Sequence, residues 1–165
     1  SSVLLALDGF PSSSVAVLDW MSEHATILQS FKVYMRAHPN VPLEKLLAQC
    51  LLPMPKNYQP SHNDLEEDMA ECFCVLYCHT SMGMQALLRG IPAIHLALDS
   101  PLSDDPLEEL RSLKWTVNTP EALQEAIREI KNLNKAEHEK EWMKAKEFIQ
   151  SYFSLPTQEA MKDFL

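Results

Sequence analysis

The run His79-Thr80-Ser81-Met82-Gly83-Met84-Gln85-Ala86-Leu87 sets two hydroxyls and a glycine at the start of a stretch with helical apolar spacing. Hydroxyl oxygens beside backbone N–H groups at a helix start suit an anion, through hydrogen bonds and the helix dipole together. The same residues also suit a plain N-cap at Thr80 or Ser81, and taken alone the segment leaves both roles open. Gly83 lets a ligand or a neighbouring backbone approach closely. His79 either donates to a phosphate oxygen or stands as an exposed turn residue.

Three further segments carry polar groups that packing does not require. In Asp8-Gly9-Phe10-Pro11-Ser12-Ser13-Ser14 the candidate donors are the backbone at Gly9 and the serine hydroxyls, with no Lys or Arg among them. In Arg36-Ala37-His38-Pro39 the guanidinium can grip a phosphate with two parallel bonds. Its alternative is a structural ion pair with Asp64 or Asp68. His38 either orients that loop or contacts substrate. The fourth segment runs from His95 to Asp105, and His95, inside an apolar run, reads as a core histidine.

Cys72, Cys74 and Cys78 precede His79 and invite a metal reading, with Cys50 elsewhere. Zinc sites usually pair a turn-borne C-x2-C with a second such pair, and no second pair exists. Cys72 and Cys74 instead alternate along an apolar run and are expected on one face of a strand as buried reduced thiols, which implies a cytoplasmic setting.

These segments need elements to position them. Apolar runs predict strands at Val3–Leu7, Phe31–Met35, Cys72–Tyr77, Ala93–Leu96 and Trp115–Val117, with a weak sixth at Leu51-Leu52. Helical spacing predicts helices over Val15–Leu28, Pro42–Cys50, Asp64–Ala70, Ser81–Arg89, Glu121–Leu133 and Lys135–Tyr152, with a turn or two at Leu107–Leu113. Ser12 to Ser14 are N-cap candidates for the first helix, Thr119 caps the one at Glu121, and Asn57–Asn63 reads as polar loop. The last helix is expected to turn Trp142, Ala145, Phe148, Ile149 and Tyr152 toward a core. Strands alternating with helices indicate an α/β domain, a doubly wound Rossmann-like parallel sheet with flanking helices. In such sheets ligands bind beyond the carboxyl ends of the strands, which is where all four polar segments fall.

The chain has 165 residues, enough for one domain with a real core. With 14 Lys and Arg against 23 Asp and Glu, its formal charge of -9 excludes a nucleic-acid partner that must be held by its phosphates. No run is long and apolar enough to cross a membrane. The opening at Ser1, directly before a strand, suggests a piece of a longer chain.

Ser81-x-Gly-x-Gln-Ala-Leu-x-x-Gly-Ile-Pro-Ala-Ile94 resembles the donor-binding motif of GT-B glycosyltransferases, and Arg36-x-His-Pro39 resembles a strand-end motif of several such families, including those that make surface polysaccharides. The likeness covers nearly the whole chain. It implies that residues 1–153 form the C-terminal, nucleotide-sugar-binding half of a two-domain enzyme, with 154–165 as a tail or crossover. It implies a nucleotide-sugar donor, a missing N-terminal domain that supplies the general base and any peripheral membrane contact, and no bound metal or other cofactor. The site residues carried over are Gly9, Ser12, Ser13, Arg36, His38, His79, Thr80, Ser81, Gly83 and Gln85, with Asp104 and Asp105 as candidates for sugar hydroxyls. Asp105 has the alternative of capping a helix that begins at Pro106. The chain departs from the family at Gln85, where many members have a Glu that accepts from both ribose hydroxyls; an amide accepts through one oxygen only. The expected activity is sugar transfer, with the isolated domain inactive. The competing readings are an epimerase or glycerophosphotransferase half-domain, and a degenerate noncatalytic α/β interaction module.

Overall fold

The computed structural model describes residues 2–98, 105 and 107–152. Their strands are β1 (Ser2–Ala6), β2 (Lys32–Arg36), β3 (Tyr58–Pro60), β4 (Cys72–Tyr77), β5 (Ala93–Leu96) and β6 (Lys114–Val117). Their α-helices are α1 (Pro11–Glu23), α2 (Leu43–Leu47), α3 (Leu65–Glu71), α4 (Met82–Leu88), α5 (Pro120–Asn132) and α6 (Lys135–Tyr152). Every strand pair is parallel, in the order β3-β2-β1-β4-β5-β6. The chain builds outward from β1 to β3, then crosses back to lay β4 on the other side of β1. This is the doubly wound Rossmann-like sheet expected from the alternation of elements.

The side-chain period of two along each strand divides the core between two layers. Val3 and Leu5 of β1 join Val17, Leu18 and Met21 of α1 and Leu123, Ala126 and Ile127 of α5. Leu4 and Ala6 face the opposite way, onto Met69 of α3, Ala86 and Leu87 of α4, and Ala145 and Ile149 of α6. β1 is buried along its whole length, as a central parallel strand must be.

Several helix starts follow directly from residue chemistry. Asp64 accepts from the Glu67 backbone N–H at 2.9 Å while Glu67 reaches back to the Asp64 N–H, a reciprocal capping box. Thr119 caps α5 by accepting from Ala122 N–H at 3.2 Å, with Pro120 in the first turn.

The structure corrects six of the local expectations. Leu51 and Leu52 form no strand; Leu51 is 88% exposed, and Asp19 Oδ1 accepts from both of their N–H groups. The third strand lies within the expected 57–63 loop, where Tyr58 inserts into the core from the sheet edge and Pro60 is tolerated because the strand is at that edge. The first helix begins at Pro11, so Ser12 to Ser14 lie within its first turn and cap nothing; it ends at Glu23, and the last expected turn is a separate 3-10 turn at Ala25–Leu28. Residues 107–109 form turns and no helix. Cys72 and Cys74 do not share a face: the β1–β4 register shifts so that Ser2 pairs with Cys72 and Val3 with Cys74, and the bulge at Phe73 sends the two thiols into opposite layers. Finally, Tyr152 is largely exposed, while Ala145 and Ile149 are buried.

The four cysteines are free thiols, with Cys72, Cys74 and Cys78 buried. Burial pushes the Cys72 thiol up to about 12 and Cys74 well above its ordinary value. Such thiols are small core hydrophobes, not nucleophiles. Among the described residues no helix is long and apolar enough to cross a membrane.

Candidate functional site

The strand order reverses between β1 and β4, and this is the switch point at whose carboxyl edge open α/β sheets place their ligand crevice. Asp8 leaves β1 and His79 leaves β4. They meet there, with His79 Nδ1 3.1 Å from Asp8 Oδ2. Asp8 is buried, and its other bonds are local. Its Oδ1 accepts from the Phe10 N–H at 2.8 Å and from Ser14 Oγ at 3.1 Å, and its Oδ2 accepts from Ser13 Oγ at 2.7 Å. The carboxylate therefore ties off the turn that starts α1. That explains why Phe10, which lacks a capping side chain, can occupy the N-cap.

Ser13, His79 and Asp8 look like the parts of a hydrolase triad, but the connections are wrong for one. Ser13 Oγ lies 3.3 Å from Nδ1 of His79, the same ring nitrogen that Asp8 holds. A nucleophilic serine must sit on the opposite nitrogen, so that the ring can take its proton while the carboxylate steadies the other side. The cluster instead orients His79, whose side chain keeps 23% of its surface at the crevice.

The remaining sequence candidates divide by what they touch. Gly9 is exposed, and a Cβ built on it would stand 3.5 Å from the His38 ring, so the β1 and β2 loops are neighbours. His38 Nδ1 accepts from the Asn40 N–H at 3.3 Å, the loop-orienting role. Ser12 is exposed on the first turn of α1. Thr80 Oγ1 accepts from Met82 N–H at 3.4 Å, and Ser81 Oγ accepts from the Gln85 amide at 3.3 Å. Ser81 holds an α-helical conformation and makes no side-chain cap. α4 has only seven residues, which limits what its dipole can contribute.

Three candidates are engaged within the protein. Arg36 Nη1 pairs with the buried Asp68 at 2.6 Å and donates to the Asn63 carbonyl at 3.1 Å; Asp68 also accepts from Ser61 Oγ. This is the structural ion pair that stood as the alternative to phosphate binding. Gly83 is buried, and a Cβ there would lie 2.4 Å from the Tyr77 ring. The close approach that demands a glycine is made by a core side chain, which corrects the expectation of a ligand or a backbone. Asp105 is also buried: Oδ1 accepts from Tyr77 Oη and from the Leu107 N–H, each at 3.1 Å. Lys114 Nζ meets Oδ2 at 2.5 Å as an ion pair rather than along a hydrogen-bonding direction, and His95 Nδ1 is 3.6 Å away. Asp105 thus caps no helix and turns its carboxylate inward. Asp104 lies outside the described residues.

A cavity of about 470 Å3 continues from His79 along the ends of β5 and β6, past His95, Lys114 and Trp115. Sequence reasoning missed the two residues that do most to organise this region. Asp8 had a usable signal, a carboxylate ending a buried strand immediately before Gly-Phe-Pro. Lys114 had none, because a lysine before a short strand reads as solvent-exposed.

No protein-family model and no curated protein matches the chain. Solved structures do. TarM shares 10% identity at a TM-score of 0.62, over 99% of this chain and 34% of its own. The catalytic domain of cholesterol-alpha-glucosyltransferase from Helicobacter pylori shares 19% at 0.57, over 92% of this chain and 100% of its own. A putative UDP-N-acetylglucosamine 2-epimerase from Listeria monocytogenes shares 15% at 0.52, over 86% of this chain and 39% of its own. The chain shares its fold with domains of glycosyltransferases and of this epimerase. The chain spans about a third of TarM and two fifths of the epimerase.

Proposed function

We propose that this domain is the donor-binding part of a glycosyltransferase, holding a nucleotide sugar across the crevice between β1 and β4. The observation that carries the reading is the meeting of Asp8 and His79 at 3.1 Å at the switch point, within a fold shared with sugar transferases. The diphosphate would lie against the backbone N–H groups of Thr80 and Ser81, the exposed Gly9 and Ser12, and the His79 ring. As the sugar departs, charge grows on the leaving diphosphate, and donors already fixed in place stabilise it without reorganising. Gln85 would meet the ribose with one acceptor where a carboxylate offers two. Residues 1–153 would make up this domain in a cytoplasmic enzyme, and a second domain would bring the acceptor and its base.

Titration of the isotope-labelled chain with sugar nucleotides of uridine, guanosine, cytidine and adenosine tests the reading. Amide shifts confined to Gly9–Ser14 and His79–Gln85 are expected for one of them, with no sugar transfer by the chain alone. Transfer by the chain alone would refute the need for a second domain. The internal pairing of Ser13, Ser14 and Arg36 favours a second reading, a noncatalytic interaction module. An unresponsive spectrum with every nucleotide selects that module and rejects donor binding.

A further inference from the structure

Tyr77 links the buried cluster around Asp105 to the helix that follows β4. Tyr77, the last residue of β4, is fully buried, and its ring fills the space that a Cβ on Gly83 would need. Gly83 lies in the first turn of α4, so the height of that turn above the sheet is set by the Tyr77 ring. The ring is held in turn from its far end, where Tyr77 Oη donates to Asp105 Oδ1 at 3.1 Å. Burial first, and the Asp105 carboxylate second, push the Tyr77 hydroxyl well above its ordinary value, so it remains a donor.

Asp105 is itself fixed by two further partners, which are tied to each other. The Leu107 N–H donates to Oδ1, Lys114 Nζ pairs with Oδ2 at 2.5 Å, and Lys114 also donates to the Leu107 carbonyl at 2.7 Å. The side chains of Asp105 and Lys114 are each 99% buried, so neither exchanges its partner for water. Immediately before Lys114, Leu113 holds a left-handed backbone at φ 56° while its carbonyl accepts from Ala93 N–H at 3.1 Å. A non-glycine residue keeps that conformation only where its surroundings over-determine it.

We infer that Tyr77 is a positioning residue, transmitting the anchored Asp105–Lys114 pair at the start of β6 to the 79–85 turn and helix beside the β1/β4 crevice. The part of this inference that concerns ligands rests on the donor-binding reading; the mechanical part does not. Nothing in the cluster needs to touch a ligand. Asp105 and Lys114 act through Tyr77, and Tyr77 acts through Gly83.

Three measurements test it on the whole chain. Gly83→Ala is expected to lower the thermal midpoint sharply, and to cost less than half as much when Tyr77→Leu has already removed the ring. Equal costs in both backgrounds would overturn the coupling. Should the double variant fail to fold, Tyr77→Phe keeps the ring and removes only the Asp105 bond. In that variant hydrogen exchange at the Gln85 amide, held by the Ser81 carbonyl at 3.0 Å, is expected to quicken about threefold or more, while α5 amides do not change. Unaltered exchange at Gln85 overturns the inference. For the sugar nucleotide that binds the wild-type chain, Tyr77→Phe is expected to weaken binding about three- to tenfold, and a remote α5 variant of matched stability, Ile127→Val, to leave it unchanged. Equal weakening in both variants assigns Tyr77 a merely structural role. A wild-type chain that binds no nucleotide removes the donor reading alone, because the first two measurements still decide the coupling.

Discussion

Two clusters built from the same kinds of side chain lie side by side at the carboxyl edge of this sheet. In one, Asp8 gathers Ser13, Ser14 and His79; in the other, Asp105 gathers Tyr77, Lys114 and His95. Each has a buried carboxylate, a histidine and a hydroxyl. They differ in where they open. The first leaves His79 with 23% of its side-chain surface at the crevice, whereas His95 keeps 5% and Lys114 1%. A carboxylate that uses all its acceptors on the protein organises structure, and chemistry toward a ligand belongs to whichever partner still reaches the solvent. Residue type alone does not separate the two; access does.

The largest effect should come from breaking the closed cluster. Lys114→Met keeps the bulk and removes the cation, leaving Asp105 buried and unpaired, so urea unfolding should show a loss of about 3–5 kcal/mol. A loss under about 1 kcal/mol would mean that water reaches Asp105 and that the contrast with the crevice is false. Asp8→Asn should cost less, about 1–3 kcal/mol, because it substitutes an amide for one acceptor among several and the turn can partly adjust. It should also alter the NMR signals of His79, whose Nδ1 loses an anionic partner. An unchanged imidazole spectrum would show that Asp8 does not orient the ring.

The smallest effect is a dependence on pH that tests how dry the core beside the closed cluster is. Burial raises Cys72 from an ordinary value near 9 to about 12, and raises Cys74, Tyr58 and Tyr77 as well. A group raised in the folded state favours folding while protonated, so its contribution is complete below pH 9 and is lost as pH climbs toward 12. Urea midpoints should therefore fall progressively above pH 9. A flat profile from pH 9 to 11 would show that these groups are reached by water.

Much of the architecture could be read directly from the residues. Cys72–Tyr77 and Ala93–Leu96 are strands over the expected bounds, and Lys135–Tyr152 is the expected helix, because long or fully buried elements show an unbroken pattern. β3 escaped notice because three edge residues containing a proline carry almost no periodic signal. The opposite facing of Cys72 and Cys74 escaped because one bulged residue, Phe73, reverses every inference from alternation.

At the site the division follows the range of the interactions. Local order fixed that polar loops would follow β1, β2, β4 and β5, since a parallel strand must end at the same edge as its neighbours. The helix cap at Thr119 was legible as well, because its partner lies three residues away. Only the tertiary structure decided that Arg36 turns to Asp68, that Gly83 makes room for Tyr77, and that Asp105 faces inward to Lys114. Those partners are 32, 6 and 9 positions apart and meet across strands and layers. A charge or a gap chooses among partners by distance in space, and the sequence pattern records only distance along the chain.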